Sequence, residues 1–210
     1  MKAVLIGAGG HARVVLDAAR AGKHIEVVAV VDADPAKRGT QFEGLDVVGD
    51  ESVLPALRAR GIDAIVLGVG SVDVGPTRRS LFQRVSGLGF ELPAVIHPAA
   101  VISPTARIGA ACVVFAGAIL NPGVRLGDNV IVNTAAVLDH DVVIGAHAHV
   151  SPGARLAGAV TVGDGTHVGI GATVLQSVRI GRDVMVGAGT VVLRDLPDGS
   201  RVAGVPAHPI

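Results

Sequence analysis

Aliphatic residues recur at every sixth position through the second half of the chain. From Ile96 to Val192 each sixth residue is Ile, Leu or Val, seventeen times without interruption. Neither an α-helix nor an alternating strand has a period of six, whereas a β-helix does, because each short edge of a coil turns one aliphatic inward. Three edges of six residues make a coil of 18, so this run predicts about five coils.

Small residues and glycines keep the same spacing. Four places after each aliphatic the residue is usually small or β-branched, which suits a narrow interior filled by one aliphatic per edge. Glycine directly follows the aliphatic at seven positions, where we expect tight turns that need its conformational freedom. These positions are Gly109, Gly127, Gly145, Gly163, Gly169, Gly181 and Gly187.

Before residue 93 the pattern changes to alternating strand-like and helix-like segments. Apolar runs predict strands at Lys2–Ile6, Glu26–Val31 and Ala64–Leu67. Such alternation is typical of a parallel sheet covered on both faces, so we expect a Rossmann-like α/β domain of about three or four strands. The domains are therefore predicted as 1–93 and 94–210, the second with a short C-terminal tail.

Three helices are predicted between and after these strands. The first covers 11–21 and stops at Gly22, and the second begins at Ser52 as its cap and stops at Gly61. The third runs from Pro76 to about residue 88.

Composition excludes several classes of function. Eighteen basic and eighteen acidic residues balance, and Trp and Tyr are absent, so we expect no nucleic-acid partner. No apolar stretch reaches the roughly 18 residues of a membrane span, and the N-terminus lacks a secretory pattern, so no membrane association and a cytoplasmic location are expected. The only cysteine, Cys112, occupies an interior position of the repeat, which predicts a core residue rather than a nucleophile. No His or Cys spacing indicates a metal site.

The stretch Asp139-His140-Asp141 carries the chemistry of a general base. Histidine titrates in the range needed to take a proton from an attacking nucleophile. A neighbouring carboxylate hydrogen-bonded to the imidazole would hold its tautomer and raise its basicity. A solvated surface turn is the alternative interpretation.

A glycine loop between the first strand and helix indicates a nucleotide site. Backbone amides at a helix N-terminus bind diphosphate, and an acidic residue ending the next strand, here Asp32, binds a ribose hydroxyl. Alone, Gly7-x-Gly9-x-x-Ala12 would indicate NAD, but the domain has only about 90 residues and no second dehydrogenase domain follows. Gly68, Gly70 and Arg78 or Arg79 are weaker candidates for the same pocket.

Four motifs together give the chain a family resemblance. They are Gly7-Ala8-Gly9-Gly10-His11, Val30-Val31-Asp32-Ala33-Asp34-Pro35, Asn133-Thr134 followed after four residues by Asp139-His140-Asp141, and Ala203-Gly204-Val205-Pro206-Ala207. The chain resembles the nucleotide-sugar N-acetyltransferases that make N-acetylated bacillosamine and perosamine. They belong to a broader group with the sialic acid O-acetyltransferases, within the hexapeptide-repeat acyltransferases. The resemblance implies a left-handed parallel β-helix, acetyl-CoA as co-substrate, and a homotrimer with the cofactor between neighbouring β-helices.

The resemblance also implies roles for particular residues. His140 would be the general base and Asp141 its orienting carboxylate, where the bacillosamine enzymes have Glu. His149 would contact the acetyl-CoA near its thioester, Ile170 and Ala188 would bind its pantetheine arm through their backbones, and His167 would be a second contact or a decoy. The nucleotide sugar would meet Gly9, Gly10 and His11 near phosphate or sugar, and Asp32 and Ala33 near the nucleoside.

The implied reaction is transfer of acetyl to the 4-amino group of a UDP- or GDP-linked 4-amino-4,6-dideoxy sugar. The Val-Asp-Ala-Asp-Pro stretch is more similar to the perosamine enzymes, which use a GDP sugar. Three alternatives stay open from the sequence: a sialic-acid-type sugar O-acetyltransferase, an NAD-binding regulator, and a nucleotide-binding scaffold without catalysis.

Overall fold

The computed structural model describes residues 1–71 and 76–210, and within them it confirms the predicted fold class, an α/β domain followed by a left-handed parallel β-helix. The α/β part has a five-stranded sheet in the order β3-β4-β2-β1-β5. Its strands are β1 (Lys2–Ile6), β2 (Glu26–Val31), β3 (Gln41–Phe42), β4 (Leu45–Gly49) and β5 (Ala64–Leu67). The three predicted strands are confirmed at both ends, whereas the antiparallel hairpin of β3 and β4 was not predicted.

The helices of this domain are α1 (Gly10–Gly22), α2 (Leu54–Ala59) and α3 (Pro76–Ser86), with short 3-10 helices at Pro35–Lys37 and Glu51–Val53. The prediction that Gly22 stops α1 was wrong, because Lys23 takes the left-handed conformation at φ 61°. Gly22 instead lets the helix approach the next domain, since a Cβ there would lie 3.3 Å from the Ile96 carbonyl oxygen. Ser52 is not a cap either: the Asp50 carboxylate accepts the Ser52 N–H at 2.9 Å.

The β-helix is a three-sided prism with one flat sheet on each side. The first face consists of Val95–Ile96, Val113–Val114, Ile131–Val132, His149–Val150, His167–Val168, Met185–Val186, Arg201–Ala203 and His208–Pro209. The second consists of Val101–Ile102, Ile119–Leu120, Val137–Leu138, Arg155–Leu156, Thr173–Val174 and Val191–Val192. The third consists of Arg107–Ile108, Arg125–Leu126, Val143–Ile144, Thr161–Val162 and Arg179–Ile180.

The periodic aliphatics fill this prism as predicted. From Val114 to Val192 every one of them is buried, and the small residues at the intervening positions, such as Cys112, Ala136 and Ala172, are buried beside them. In the first coil Ile96 is 37% exposed, because a terminal coil has a neighbouring coil on one side only. The predicted boundary after residue 93 stays a prediction, although the first face begins at Val95.

The glycines after the inward aliphatics serve a different purpose from the predicted one. Left-handed backbone occurs three places after each aliphatic from Ile108 to Val186, where Asp141, Asn129 and several glycines adopt it. The glycines one place after the aliphatic instead allow successive coils to approach closely. A Cβ on Gly127, for example, would lie 2.7 Å from the Ala146 nitrogen.

The α/β domain packs on the first face. Outward side chains there, Val95, Val113 and Ile131, are buried in one hydrophobic cluster with α1 residues such as Val15. In a three-sided prism the edge between the second and third faces lies opposite the first face. Side chains at that edge are therefore on the far side of the prism from the α/β domain.

The two kinds of glycine predict different costs of substitution. Gly127→Ala should lower the free energy of unfolding by about 1–3 kcal/mol, because its Cβ meets backbone that cannot move aside. Gly153→Asn should cost less than about 1 kcal/mol, since φ is 66°, a Cβ meets nothing within 4 Å, and Asn tolerates this conformation. Urea unfolding at one protein concentration measures both. Equal losses of unfolding free energy in the two variants would contradict the explanation that Gly127 allows two coils to approach closely.

Candidate active site

His140 and Asp141 form an exposed pair at the edge between the second and third faces. The imidazole Nδ1 lies 3.0 Å from Asp141 Oδ2, and both side chains are more than half exposed. Because a carboxylate only accepts, Nδ1 carries the proton, and in neutral His140 the lone pair is on Nε2. The hydrogen bond that His140 donates to Asp141 and the charge of Asp139 raise the pKa of His140 above 6.5.

Neighbouring coils shape the space around this pair. Asp139 Oδ1 accepts the His140 N–H at 2.8 Å and Asn121 Nδ2–H at 2.9 Å, which fixes the turn that presents the imidazole. Gly158, one coil further, leaves room for Nε2: a Cβ there would lie 2.4 Å from this atom. The amide N–H of Gly158 has no acceptor among the described residues. The edge therefore presents a proton acceptor on His140 and, one coil away, a backbone donor without an acceptor among the described residues.

His149 lies at the junction of the two domains rather than at this edge. Its Nδ1 is 2.7 Å from the carbonyl oxygen of Ser71, which requires a proton on Nδ1, and Nε2 then accepts Asn133 Nδ2–H at 3.1 Å. Burial, followed by the charge of His167, lowers the pKa of His149 to about 4, so the ring is neutral near pH 7. Both ring nitrogens are thus engaged within the chain. For His149 to donate to a cofactor, its Nδ1–H would first have to leave the Ser71 carbonyl oxygen.

Two further histidines complete the junction. The rings of His149 and His167 meet edge to face at 4.7 Å, and His167 Nε2 lies 2.9 Å from Ser151 Oγ. The His11 ring packs against Phe115 of the β-helix at 5.5 Å, and burial lowers its pKa to about 3. His11 is therefore a neutral junction residue that supplies no positive charge to a phosphate.

The weaker candidates of the sequence have structural roles. Arg78 is buried, and its guanidinium donates to the carbonyl oxygens of Leu67, Val69 and Ala111, which ties the end of β5 to the β-helix. Arg79 lies 3.5 Å from Asp183 on the β-helix. His147 is half-buried against Phe82 and Asn129. Cys112 is fully buried as predicted, and burial raises the pKa of its thiol to about 11.

The glycine loop opens to solvent at the N-terminus of α1. Gly9 and Gly10 are exposed, a Cβ on either would meet nothing within 4 Å, and no side chain caps the helix. Asp32 lies beside the loop and accepts Ala8 N–H at 2.6 Å, while Ala33 is exposed next to it. The loop therefore offers uncapped helical amides to an anion, as the motif predicts.

Ile170 and Ala188 are exposed and occupy consecutive coils at the edge between the first and second faces. The Gly189 N–H donates to the Ile170 carbonyl oxygen at 2.7 Å, which stacks the two turns. Neither the Ile170 N–H nor the Ala188 N–H has an acceptor among the described residues. The edge thus presents two spare amide donors one coil apart.

The chain was compared with known protein families and with solved structures. The model of the PglD N-terminal domain matches residues 2–85, and the model of the bacterial transferase hexapeptide, six repeats, matches residues 159–194. A perosamine N-acetyltransferase from Caulobacter crescentus, solved in complex with CoA and GDP-perosamine, is 43% identical over all of this chain and 97% of its own, with a TM-score of 0.93. The chain belongs to the bacillosamine/perosamine type of hexapeptide-repeat acyltransferases.

Two more comparisons bear on this acyltransferase family. The acetyltransferase domain of PglB from Neisseria gonorrhoeae FA1090 is 40% identical over all of this chain and 99% of its own, with a TM-score of 0.90, and a second structure of it contains acetyl coenzyme A. WeeI from Acinetobacter baumannii AYE, at 21% identity, all of both chains and a TM-score of 0.68, shares the fold. No curated protein matches the chain.

Within the acyltransferase chain the candidate residues form two separate groups. His140, Asp141 and Gly158 lie at the edge opposite the first face, whereas the glycine loop, His11 and His149 belong to the α/β domain and the face that it covers. In one chain, therefore, His140 does not lie beside the glycine loop. The sequence did not indicate Gly158 or Ser71, because their importance depends on which residues stack above or beside them.

Two negative observations apply to the described residues of this acyltransferase. No group of three or more His, Cys, Asp or Glu side chains in residues 1–71 and 76–210 is placed to hold a metal ion. In the same residues no helix is both long enough and apolar enough to cross a membrane.

The three histidines are predicted to titrate in a definite order. In an NMR titration His140 should have a pKa above 6.5, while His149 and His11 should stay neutral down to about pH 4 and pH 3. Asp141→Asn should lower the pKa of His140, because it removes the hydrogen bond that favours the charged ring. Asp17→Asn, on the exposed side of α1, is the control and should leave it unchanged. A pKa of His149 near 6.5 would contradict its burial at the domain junction, because burial is the main cause that lowers this pKa.

Proposed function

We propose that the protein transfers an acetyl group from acetyl-CoA to the 4-amino group of a nucleotide-linked 4-amino-4,6-dideoxy sugar, with His140 as general base. Family membership makes the chain an acetyl-CoA-dependent acyltransferase, and its 43% identical neighbour was crystallised with CoA and GDP-perosamine. The observation that carries the proposal is the His140–Asp141 pair, which leaves Nε2 as the only ring nitrogen able to accept a proton.

The reaction follows from this geometry as direct attack. The neutral amine of the sugar attacks the thioester carbonyl carbon, a C–N bond forms, and the proton lost by nitrogen moves to His140 Nε2. The C–S bond then breaks and the thiolate of CoA takes up a proton as it leaves. The Gly158 N–H, which has no acceptor among the described residues, is the donor that we assign to the developing oxyanion. Because Asp141 raises the pKa of His140, activity is expected to fall as pH drops through that raised value.

The chain has spare backbone donors for the cofactor. The pantetheine arm of CoA carries two amide carbonyls that accept hydrogen bonds, and the unpaired N–H groups of Ile170 and Ala188 fit such acceptors. His149, whose ring nitrogens are both engaged, would contact the cofactor through its ring edge or after Ser71 has moved.

A complete site requires a second chain. The base lies on the far side of the prism from the nucleotide loop, so a neighbouring copy must place its base edge against this loop. The second face offers an apolar strip for such packing: Val101 is 62% exposed, and Ile119 and Val137 stack on it in the following coils. This arrangement supports the homotrimer that the family resemblance implies.

The proposed reaction is tested by release of free CoA thiol from acetyl-CoA, with mass analysis of the product. GDP- and UDP-linked 4-amino-4,6-dideoxy sugars and free sialic acid are the acceptors. We expect a 4-acetamido product, with GDP as the favoured nucleotide, and loss of roughly 10²–10⁴-fold in kcat for His140→Gln. Asp17→Asn, on the exposed side of α1, is the control. Turnover of sialic acid alone would replace this proposal with sugar O-acetylation, and full activity of His140→Gln would refute the base.

Two inactive variants should restore activity when they are co-assembled. Gly9→Asp places a carboxylate where diphosphate would bind, in space that is open, and His140→Ala removes the base. With random mixing, about one site in four combines an intact loop with an intact base from the neighbour, which predicts about a quarter of wild-type activity. Light scattering should show trimers for both variants. Trimers without restored activity would show that each site lies within one chain.

A further inference from the structure

Lys37 lies between the glycine loop and Asp32, where the sequence motif predicts a nucleotide but no lysine. Its ammonium donates to Asp32 Oδ2 at 3.0 Å and to the Ala8 carbonyl oxygen at 3.2 Å. An ammonium has three N–H donors, so one is left after these two bonds. The side chain is 37% exposed, which leaves the charge accessible from the side of the loop.

Asp32 has little capacity left for a ligand. Its Oδ2 accepts both Ala8 N–H and Lys37, and its Oδ1 accepts Asp34 N–H at 2.9 Å. Burial alone would raise the pKa of this carboxyl, but these hydrogen bonds outweigh it and hold the pKa below its ordinary value. In dinucleotide-binding domains the corresponding carboxylate binds a ribose hydroxyl. Here the carboxylate instead holds a lysine.

The backbone around Lys37 fixes this placement. Asp34 caps the 3-10 helix Pro35–Lys37 by accepting Ala36 N–H at 3.0 Å, and the Thr40 hydroxyl donates to the Lys37 carbonyl oxygen at 2.6 Å. α1 has no acidic residue in its first turn and no side-chain cap, and the Lys37 ammonium contacts the loop at this end of the helix. A carboxylate so close to a diphosphate would repel it, and Lys37 neutralises that charge.

We propose that Lys37 binds the diphosphate of the nucleotide sugar, and that Asp32 positions Lys37 rather than binding the ribose. The inference rests on the proposed function, because it takes the loop to be the nucleotide site. It differs from the sequence-based expectation in assigning Asp32 to a lysine instead of a hydroxyl. It also predicts that removing the 2′ or the 3′ hydroxyl of the ribose has little effect on nucleotide affinity.

Calorimetric titration with GDP, UDP and GMP tests the inference on the intact protein without catalysis. Lys37→Met should weaken GDP binding by roughly 10–100-fold, the size expected for a charge-assisted phosphate contact, and should flatten its salt dependence. The affinity for GMP, which has one phosphate fewer, should fall less in this variant than the affinity for GDP. Lys37→Arg should recover part of the affinity, and Lys23→Met at the other end of α1 is the matched control. Circular dichroism and light scattering confirm that each variant is folded and assembled.

Asp32 is tested by coupling and by substrate analogues. Asp32→Asn should weaken GDP binding, and the double variant with Lys37→Met should be little worse than Lys37→Met alone, because the two residues act through one contact. Wild-type protein should bind 2′-deoxy-GDP and 3′-deoxy-GDP within about threefold of GDP, well under the cost of a lost charged hydrogen bond.

Three results would overturn this inference. They are unchanged GDP affinity in Lys37→Met, a loss of tenfold or more on removing a ribose hydroxyl, and additive effects of the two substitutions. Absence of any nucleotide binding, in protein that still releases thiol with an amino sugar, would instead overturn the proposed nucleotide site itself, and this inference with it. The two failures are therefore distinguished by the wild-type titration alone.

Discussion

Parallel pairing in an 18-residue register decides what each side chain of the β-helix contacts. Ile119 pairs with Val137, His149 with His167, and every turn lies directly on the turn one coil away. An inward position can therefore hold only what the stack has room for, which is one aliphatic and one small residue per edge. The same register places Gly158 beside His140, so the space in which a substrate amine would meet Nε2 depends on a residue one coil distant.

The register also sets where the α/β domain attaches. The outward column of the first face begins with Val95, Val113 and Ile131, which bury apolar area against the α/β domain, and continues with His149 and His167 where that cover ends. Buried polar groups need partners, and two of them find partners across the junction: the Ser71 carbonyl oxygen accepts the His149 Nδ1–H, and Arg78 donates to carbonyl oxygens on both sides. The loop after β5 thus fixes the tautomer of His149, which links the α/β domain to the β-helix.

Much of this was readable from the sequence because the signals were periodic or local. The period of six predicted the prism and its core, the apolar runs predicted β1, β2 and β5, and Asp139-His140-Asp141 predicted a hydrogen-bonded pair. The errors came from contacts between distant segments. Gly127 and Gly22 lie where another segment approaches closely, and not where the chain turns. The contact of Lys37 with Asp32 was not predicted, because Lys37 belongs to no motif. The local sequence indicates which backbone conformation a residue prefers. Whether another segment comes close to that residue depends on which coils and domains pack together, and the local sequence does not indicate this.

In the proposed mechanism His140 and the glycine loop act together, although they lie apart in one chain. This separation accounts for the exposure of the His140–Asp141 pair. His140 and Asp141 are more than half exposed in the single chain, and an exposed ion pair contributes little to stability because water screens it. If a neighbouring chain covers this edge, the same hydrogen bond would lie in a medium of lower dielectric, where it would hold the imidazole more strongly. Assembly would then complete the site and strengthen the base in one step. A lone chain would have no nucleotide sugar beside His140, so acetyl-CoA would not be consumed before the assembled site had bound its acceptor.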